Sequence, residues 1–139
     1  MANTIHVDIV SAEGQIFSGE ATRVFAPGSQ GELGIYPRHA PLLTTLTAGE
    51  VRVETEGQEE QSFFVGGGAM EIQPHLVTVL ADTAVRAKDL DEAAAVAAKQ
   101  RAEDAVRNRT DKMDIAEAQA ELVRVLAQLR AIERLRKKR

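Results

Sequence analysis

Histidine and serine are two residue types in this chain that could carry catalysis, because imidazole transfers protons near neutral pH and an activated hydroxyl can act as a nucleophile. The histidines are far apart and have neither the paired spacing of a helical zinc site nor a cysteine beside them; they are His6, His39 and His75. The serines lie outside any Gly-x-Ser-x-Gly pattern; they are Ser11, Ser18, Ser29 and Ser62. The sequence therefore predicts no catalytic centre and no metal site, and we expect the histidines to have structural or surface roles.

Two glycine-rich segments have the composition of loops that bind phosphate. The run Gly66-Gly67-Gly68 is followed by an acidic, strand-like segment at residues 69–72, with neither a helix start nor a lysine. Residues 28–34 lead into another strand-like segment, and Glu32 within them would repel a phosphate. We therefore interpret the glycine run as a bulge or tight turn, and residues 28–34 as a turn.

A change in composition near Asp89 predicts which secondary-structure elements position these residues. All 10 glycines, all 4 prolines and all the aromatic residues lie at or before Pro74, whereas residues 89–139 are rich in good helix formers. In the first part, short apolar or alternating runs recur between turn signals, at residues 5–10, 15–17, 22–26, 34–36, 42–46, 51–55, 62–65, 70–72 and 76–81. This pattern predicts an all-β sandwich or flattened barrel over residues 1–88.

Residues 89–139 predict two helices that form an antiparallel hairpin. Each helix is preceded by an aspartate with a glutamate three residues later, Asp89 before Glu92 and Asp114 before Glu117, which is a capping pattern. We expect the first helix over about residues 90–108, a polar turn over residues 108–113, and the second helix from about residue 115 almost to residue 139.

The predicted interface between the two helices is thin. The first helix has an alanine stripe, composed of Ala93, Ala94, Ala97, Ala98, Ala102 and Ala105. The second has an apolar stripe, composed of Ile115, Ala118, Leu122, Val125, Leu129 and Ile132, with Leu126 beside it. Alanine allows close approach but buries little area, and each buried methylene-sized group contributes only about 0.8 kcal/mol. We therefore expect a weakly held hairpin that can open.

Charge is distributed unevenly along the chain, whose net charge is −4. Residues 1–88 contain five basic and eleven acidic residues, a net −6, while residues 89–139 contain twelve and ten, a net +2. The acidic first part argues against broad nucleic-acid binding. The basic cluster at the end of the second helix could complement the helix dipole, meet an anionic membrane surface, or dock on an acidic protein loop.

Targeting signals are not evident in the sequence. The first residues lack a basic segment followed by an apolar one, and no apolar run approaches the ~18 residues needed to span a bilayer. The absence of cysteine fits a reducing compartment. If the protein acts at a membrane, we expect other proteins to hold it there.

Four collinear blocks of sequence are more specific than the glycine motifs. They are Asp8-Ile9-Val10-Ser11-Ala12-Glu13 with Ile16-Phe17-Ser18-Gly19, then Gly31-Glu32-Leu33-Gly34-Ile35-Tyr36-Pro37-Arg38-His39-Ala40-Pro41-Leu42-Leu43-Thr44, then Gly66-Gly67-Gly68-Ala69-Met70-Glu71-Ile72-Gln73-Pro74-His75 with residues 77–84, and finally Asp89-Leu90-Asp91-Glu92-Ala93. Together they closely resemble the ε-subunit family of bacterial F-type ATP synthases. The resemblance covers essentially the whole chain.

The resemblance implies an N-terminal β-sandwich and a C-terminal helical hairpin, the same architecture that the residue patterns predict. It implies a non-catalytic subunit of the central stalk, which turns with the γ subunit and the c-subunit ring in a complex that couples proton or other ion transport to ATP synthesis. In this reading residues 1–88 bind γ and the c ring. Residues 89–139 are a movable regulatory arm that reaches the α and β subunits and inhibits ATP hydrolysis. The protein would be peripheral, held by the complex at the cytoplasmic face of the bacterial inner membrane, with no nucleic-acid partner.

The resemblance also implies particular contact residues. Glu32 lies in the loop that meets the polar loops of the c ring in the family, and His39 belongs to the same block. Arg38 stands where relatives often carry glycine, and it adds a positive charge beside that contact. On the second helix, the residues expected to face an acidic segment of the β subunit are Arg124, Arg130, Arg134 and Arg136.

One departure from the family concerns nucleotide binding. Some relatives bind ATP on the folded hairpin through Ile or Leu, Asp, two variable residues, Arg and Ala, but this chain has Ala94 at the arginine position. Loss of that charge-assisted contact costs about 1.5–3 kcal/mol, or roughly ten- to a hundredfold in affinity. Asp91 and Arg101 remain as candidates for weak nucleotide contacts, and Asp91 otherwise serves only to start the helix. We therefore expect no cofactor.

A freestanding binding module is the alternative hypothesis, in which the sandwich and hairpin recognise some other acidic protein partner. A third hypothesis, an enzyme that uses a cleft of the sandwich, lacks a supporting set of residues. Recovery of γ and c subunits on co-purification distinguishes the first hypothesis from the second.

Because of Ala94, calorimetric titration of the isolated chain with ATP should show no binding, or binding only in the millimolar range. A micromolar dissociation constant would contradict this interpretation of the departure from the family motif.

Overall fold

The computed structural model describes residues 3–108 and 112–137, and of residues 93, 108 and 112–114 it describes only the backbone. The chain divides between Arg86 and Ala87 into two compact units. The first consists of strands and the second of helices, so the predicted fold class is confirmed. The turn predicted over residues 108–113 centres on residues 109–111, which lie outside the described residues.

The first unit contains one sheet of eight strands in its described part. These are β1 (Ile5–Ser11), β2 (Gly14–Ala21), β3 (Arg23–Gly28), β4 (Gly31–Ile35), β5 (Leu42–Glu54), β6 (Gln61–Gln73), β7 (Leu76–Ala81) and β8 (Ala84–Arg86). The strand order is β2-β1-β7-β6-β5-β3-β4, and β8 pairs with β6 off this path. β1 and β7 are parallel, and the other recorded pairs are antiparallel.

Side chains that alternate between core and solvent explain why these segments are strands. Ile5, Val7 and Ile9 of β1 are fully buried, while His6 and Asp8 between them point outward. Inward residues from β1 to β7 meet in a single apolar cluster, as expected of a sheet folded over into a sandwich. Each fully buried aliphatic side chain contributes about 1.5–3 kcal/mol, so this cluster is the main source of stability for the unit.

The strands β5 and β6 are longer than the sequence predicted. Each has 13 residues, whereas the sequence indicated two short strands at each place. The interpretation of residues 66–68 as a bulge or tight turn was wrong, because the pairs Leu46↔Gly68 and Ala48↔Gly66 continue the β5–β6 register without a shift. A Cβ on Gly68 would lie 2.2 Å from the carbonyl oxygen of Leu80, so glycine is required for the approach of β6 to β7. The predicted turn in residues 28–34 is confirmed only at Ser29 and Gln30, since Gly31 already begins β4.

The second unit contains a 3-10 turn (Ala87–Asp89) and two helices, α1 (Glu92–Asn108) and α2 (Lys112–Lys137). Asp91 caps α1, because its carboxylate accepts a hydrogen bond from the backbone N–H of Ala94 at 3.2 Å. The predicted cap at Asp89 was therefore wrong. The predicted cap at Asp114 was also wrong, because α2 starts at Lys112 and places the Asp114 backbone inside the first turn. The side chain of Asp114 lies outside the described residues.

Small residues are the most buried ones in the hairpin. In the described part they are Ala95 and Ala102 of α1, and Ala118, Val125, Ala127 and Ala131 of α2. The predicted alanine stripe was partly wrong, since Ala94 and Ala97 are exposed. Ala98 and Ala105 are half-buried, and the side chain of Ala93 is not described. The leucines and isoleucines predicted for the α2 stripe are only half-buried, and Val125 is its one large side chain that is fully buried. The interface is therefore thin, as the composition predicted.

Arg38 is the one non-glycine residue in the described ranges with a positive φ, at 68°. Its backbone N–H donates to the carbonyl of Pro74 at 2.8 Å, and the N–H of His39 donates to the carbonyl of Tyr36 at 3.1 Å. These hydrogen bonds hold a left-handed conformation that is unfavourable for an L-residue by about 1–2 kcal/mol.

Replacing Arg38 by glycine should stabilise the chain, because glycine adopts φ > 0 without a Cβ clash. Part of the gain is offset by the greater entropy of glycine in the unfolded state, so we expect an increase of about 0.5–1 kcal/mol in the free energy of unfolding. Denaturant titration measures it. R38A is the matched control, since it removes the same charge but keeps the Cβ, and it should give no such gain. Equal stability of R38G and R38A would contradict the strain at this position.

Candidate functional site

Glu32 belongs to a cross-strand cluster on the outer surface of the sandwich. Its carboxylate on β4 pairs with the guanidinium of Arg52 on β5, and that guanidinium lies 4.7 Å from the ring centroid of Phe25 on β3. The Glu32 side chain is 58% exposed and that of Arg52 is 24% exposed. Arg52 therefore holds Glu32 in place and compensates its charge, while the outer part of the carboxylate remains available to a partner.

Arg38 and His39 lie in the connection between β4 and β5. The ring nitrogen Nδ1 of His39 lies 2.6 Å from the carbonyl oxygen of Ala40, which makes it a donor and fixes the ring. Arg38 is exposed, and its guanidinium makes no ion pair with the residues that the structure describes. The predicted contact residues thus present one compensated carboxylate at Glu32 and one uncompensated cation at Arg38.

A second cluster on β3 and β5 was not predicted from the sequence. The guanidinium of Arg23 lies 2.5 Å from a carboxylate oxygen of its cross-strand partner Glu54. The Glu54 charge, followed by a hydrogen bond with Tyr36, raises the pKa of Arg23 further above its ordinary value. Arg23 therefore stays protonated at any physiological pH. A cavity of about 540 Å³ opens beside this pair and is otherwise lined mainly by polar residues, Thr22, Thr55, Glu56, Gln58 and Glu60.

His6 forms a third cluster, on the outer face of β1 and β2. Its ring nitrogens lie 3.0 Å from Asp8 Oδ1 and 3.2 Å from Glu20 Oε2. The hydroxyl of Ser18 donates to Asp8 Oδ1 at 2.7 Å and lies 3.1 Å from the His6 ring. The sequence predicted only a structural or surface role for His6 and did not give its partners, because antiparallel pairing is what brings Asp8 opposite Ser18 and His6 opposite Glu20.

The His6 cluster is hydrogen-bonded across the two strands, but it is not arranged for nucleophilic catalysis. The shortest contact of Ser18 is with Asp8, so its hydroxyl hydrogen points to a carboxylate and not to the imidazole that would act as general base. The cluster also lies on an exposed strand face. We conclude that it links β1 to β2 electrostatically.

The predicted basic contact residues on α2 differ in their surroundings. Arg136 pairs with Glu92 at the start of α1, so this ion pair joins the two ends of the hairpin. Arg124 pairs with Glu121 one turn earlier on its own helix. Arg130 is exposed, and Arg134 is half-buried and also has an interaction partner. Because Arg136 and Arg124 already form ion pairs within the hairpin, two of the four predicted contact arginines are engaged inside this unit.

The two residues considered for nucleotide contact lie apart on α1. The Asp91 carboxylate is engaged as the helix cap, while Arg101 is exposed ten residues further along the chain, roughly 15 Å along the helix axis. No group of three or more metal-ligating side chains occurs among the residues described. In the same described ranges, no helix is long and apolar enough to cross a membrane.

Comparison with known families divides the chain in the same way as its structure. Residues 4–87 match the β-sandwich domain of the ATP synthase delta/epsilon chain. Residues 88–133 match the long α-helix domain of the same chain. The two matches together cover nearly all of the sequence.

Individual relatives agree with the family match. The chain is 61% identical over 138 residues to the ATP synthase epsilon chain of Nitrosococcus oceani, covering 99% of both chains. It is 60% identical to ATP synthase epsilon chain 1 of Methylococcus capsulatus, covering 100% of this chain and 99% of the relative. Among solved structures, a chain of the Euglena gracilis mitochondrial ATP synthase has the same fold, with a TM-score of 0.85 at 17% identity, over 94% of this chain and 82% of that one. With both domains matched in order and at this level of identity, the chain belongs to the ATP synthase delta/epsilon chain family.

Proposed function

We propose that this protein is the ε subunit of a bacterial F-type ATP synthase, a component of the central stalk that couples ion transport to ATP synthesis. The observation that carries the proposal is the 61% identity, over 99% of both chains, to a bacterial ATP synthase epsilon chain. The protein itself is a non-catalytic subunit of the ATPase complex. In support of this, the only Ser–His–carboxylate constellation found in the described residues has its serine hydroxyl directed to Asp8. The protein is peripheral at the cytoplasmic face of the inner membrane and is held there by the complex.

The sandwich is the part that joins γ to the c ring. Glu32, Arg38 and His39 form its contact with the polar loops of the ring. The compensation of Glu32 by Arg52 supports this assignment, since a carboxylate fixed by an arginine stacked on Phe25 is ordered before docking. Preorganised contacts lose less side-chain entropy when a partner binds.

The helical hairpin is the regulatory arm. When it opens, Arg124, Arg130, Arg134 and Arg136 contact an acidic segment of the β subunit and restrain ATP hydrolysis. Two features support a movable arm: the small buried residues of the interface, and the exposure of the Glu92–Arg136 ion pair, whose side chains are 46% and 63% exposed. Exposed ion pairs contribute at most about 1 kcal/mol.

ATP is not required to hold the arm closed in this protein. Asp91 already serves as the cap of α1, and Ala94 supplies no charge for a phosphate. The Glu92–Arg136 pair instead joins the two ends of the hairpin. Asp91 and Arg101 offer at most weak nucleotide contacts.

Co-purification from membranes tests the central proposal. An affinity-tagged copy of the full chain should recover the γ, c, α and β subunits from detergent-solubilised membranes. Recovery of another acidic protein without γ and c would instead support a freestanding binding module.

Truncation after Lys88 should raise the ATP hydrolysis rate of the assembled complex while leaving its subunit composition unchanged, because the sandwich domain is retained. Coupling energies of about 1–3 kcal/mol are typical of such regulation and correspond to an increase of about five- to 150-fold. Hydrolysis measured on complexes purified with full-length and truncated chains decides the outcome. An unchanged rate in an intact complex would mean that the arm is not inhibitory.

Replacing Glu92 by glutamine should strengthen inhibition, because it removes the ion pair that closes the hairpin and leaves Arg136 free to dock. With an exposed pair contributing about 0.2–1 kcal/mol, we expect hydrolysis to fall by up to about fivefold at low salt. E103Q is the matched control, since it removes the Lys99–Glu103 pair, which lies within α1 and does not join the helices. If E92Q and E103Q gave the same rate as the unmodified complex, the pair would have no role in closing the arm.

A further inference from the structure

The connection between β4 and β5 ends in an exposed surface that is partly apolar. We define the tip as residues 36–43. Tyr36 is 52% exposed, Leu42 40% and Leu43 73%, although these side chains are large and apolar or aromatic. Exposed apolar side chains grouped beside a charge are typical of a docking surface.

Arg38 stands in the middle of the tip in a backbone conformation that glycine would adopt more easily. Its φ of 68° lies in the left-handed region, where a Cβ is unfavourable. The hydrogen bond from its N–H to Pro74 holds the backbone, but that bond does not require an arginine side chain. Strained residues of this kind concentrate at binding and catalytic sites, which suggests that the guanidinium itself is used.

The other arginines of the sandwich are engaged. Residues 3–86 contain no lysine and four arginines: Arg23, Arg38, Arg52 and Arg86. Arg23 pairs with Glu54, and Arg52 pairs with Glu32. Arg86 donates to Gln61 and to the carbonyl of Ile16 at 3.3 Å each, and lies over the Phe63 ring. Of these four arginines, only Arg38 has a guanidinium with no hydrogen bond, ion pair or ring contact to the described part of the chain.

We propose that Arg38 determines the specificity of docking at the tip by pairing with a carboxylate on the polar loop of the partner. The inference rests on the proposed function, because it concerns the surface assigned there to the c ring. Since Arg52 already compensates Glu32, the uncompensated charge at the tip is a single cation, and its complement is an acidic side chain. A guanidinium binds a carboxylate through two parallel hydrogen bonds, and the exposed Leu43 adds apolar surface to the tip.

The first test separates folding from docking. ATP synthase membranes stripped of this subunit are titrated with the purified full chain, and the dissociation constant is measured at low and high salt. R38G, although more stable as a free chain, should bind about two- to tenfold more weakly at low salt, and the difference should shrink at high salt. R38K keeps the positive charge but not the two parallel hydrogen bonds, so its affinity should lie between those of R38G and the unmodified chain. The matched control R107Q removes an exposed charge of α1 and should leave the dissociation constant unchanged.

The second test identifies the partner group. A lysine at position 38 provides an amine that a carbodiimide condenses with an adjacent carboxylate, so R38K in the assembled complex should give a zero-length cross-link to an acidic residue of a partner subunit, located by mass spectrometry. The unmodified protein, with arginine at that position, should not give it.

Three results would overturn the proposal while leaving the proposed function intact: binding of R38G equal to that of the unmodified chain at both salt concentrations, no cross-link from R38K in an intact complex, or binding to phosphatidylglycerol vesicles that depends on Arg38. Failure of the unmodified chain to bind the stripped membranes would instead contradict the proposed function.

Discussion

The pairing of β5 with β6 in a single register is the constraint on which the sandwich depends. Their register continues from Leu42↔Ile72 to Val53↔Gln61, so β5 and β6 stay paired along almost their whole length. Along its other edge, β6 pairs first with β8 and then with β7, and it changes partner at the glycine run. A side chain on Gly68 would collide with the backbone of Leu80. The glycines of residues 66–68 therefore serve strand packing, although their spacing is the one that first suggests a phosphate loop.

Electrostatics on this sandwich are organised by a few arginines. Arg52 of β5 joins the Glu32 carboxylate of β4 to the Phe25 ring of β3, and Arg23 of β3 joins the Glu54 carboxylate of β5 to Tyr36, which follows β4. The two cations therefore tie β3, β4 and β5 together. Such pairs are partly exposed and contribute little stability individually. Their larger effect is on position, since Arg52 orders Glu32, while Arg38 has no ion pair among the described residues.

The helical hairpin has a different physical basis. Its most buried residues are alanines and one valine, and its ends are joined by the exposed pair Glu92–Arg136. Neither of these two contributions to the stability of the closed hairpin is large, because alanine buries little area and solvent screens exposed charges. An element closed by small contributions can open at modest cost, which a regulatory arm requires. The Asp91 cap stabilises the start of α1 and does not depend on the contact between helices.

The sequence by itself determined the kind of each element and the division of the chain. Alternation such as Ile5, Val7 and Ile9 predicts a half-buried strand from local information alone, and the absence of glycine and proline after Asp89 predicts helices in the same way. It did not determine the continuity of β6 through its glycines, and it offered both Asp89 and Asp91 for the start of α1, of which the structure uses Asp91 as the cap. Nor did it predict the partners of His6, Glu32, Arg23 and Arg136. Those features depend on which residues from distant parts of the chain come to lie opposite one another. Strand register and helix packing set that placement through the burial of the whole core, so only the tertiary structure decided it.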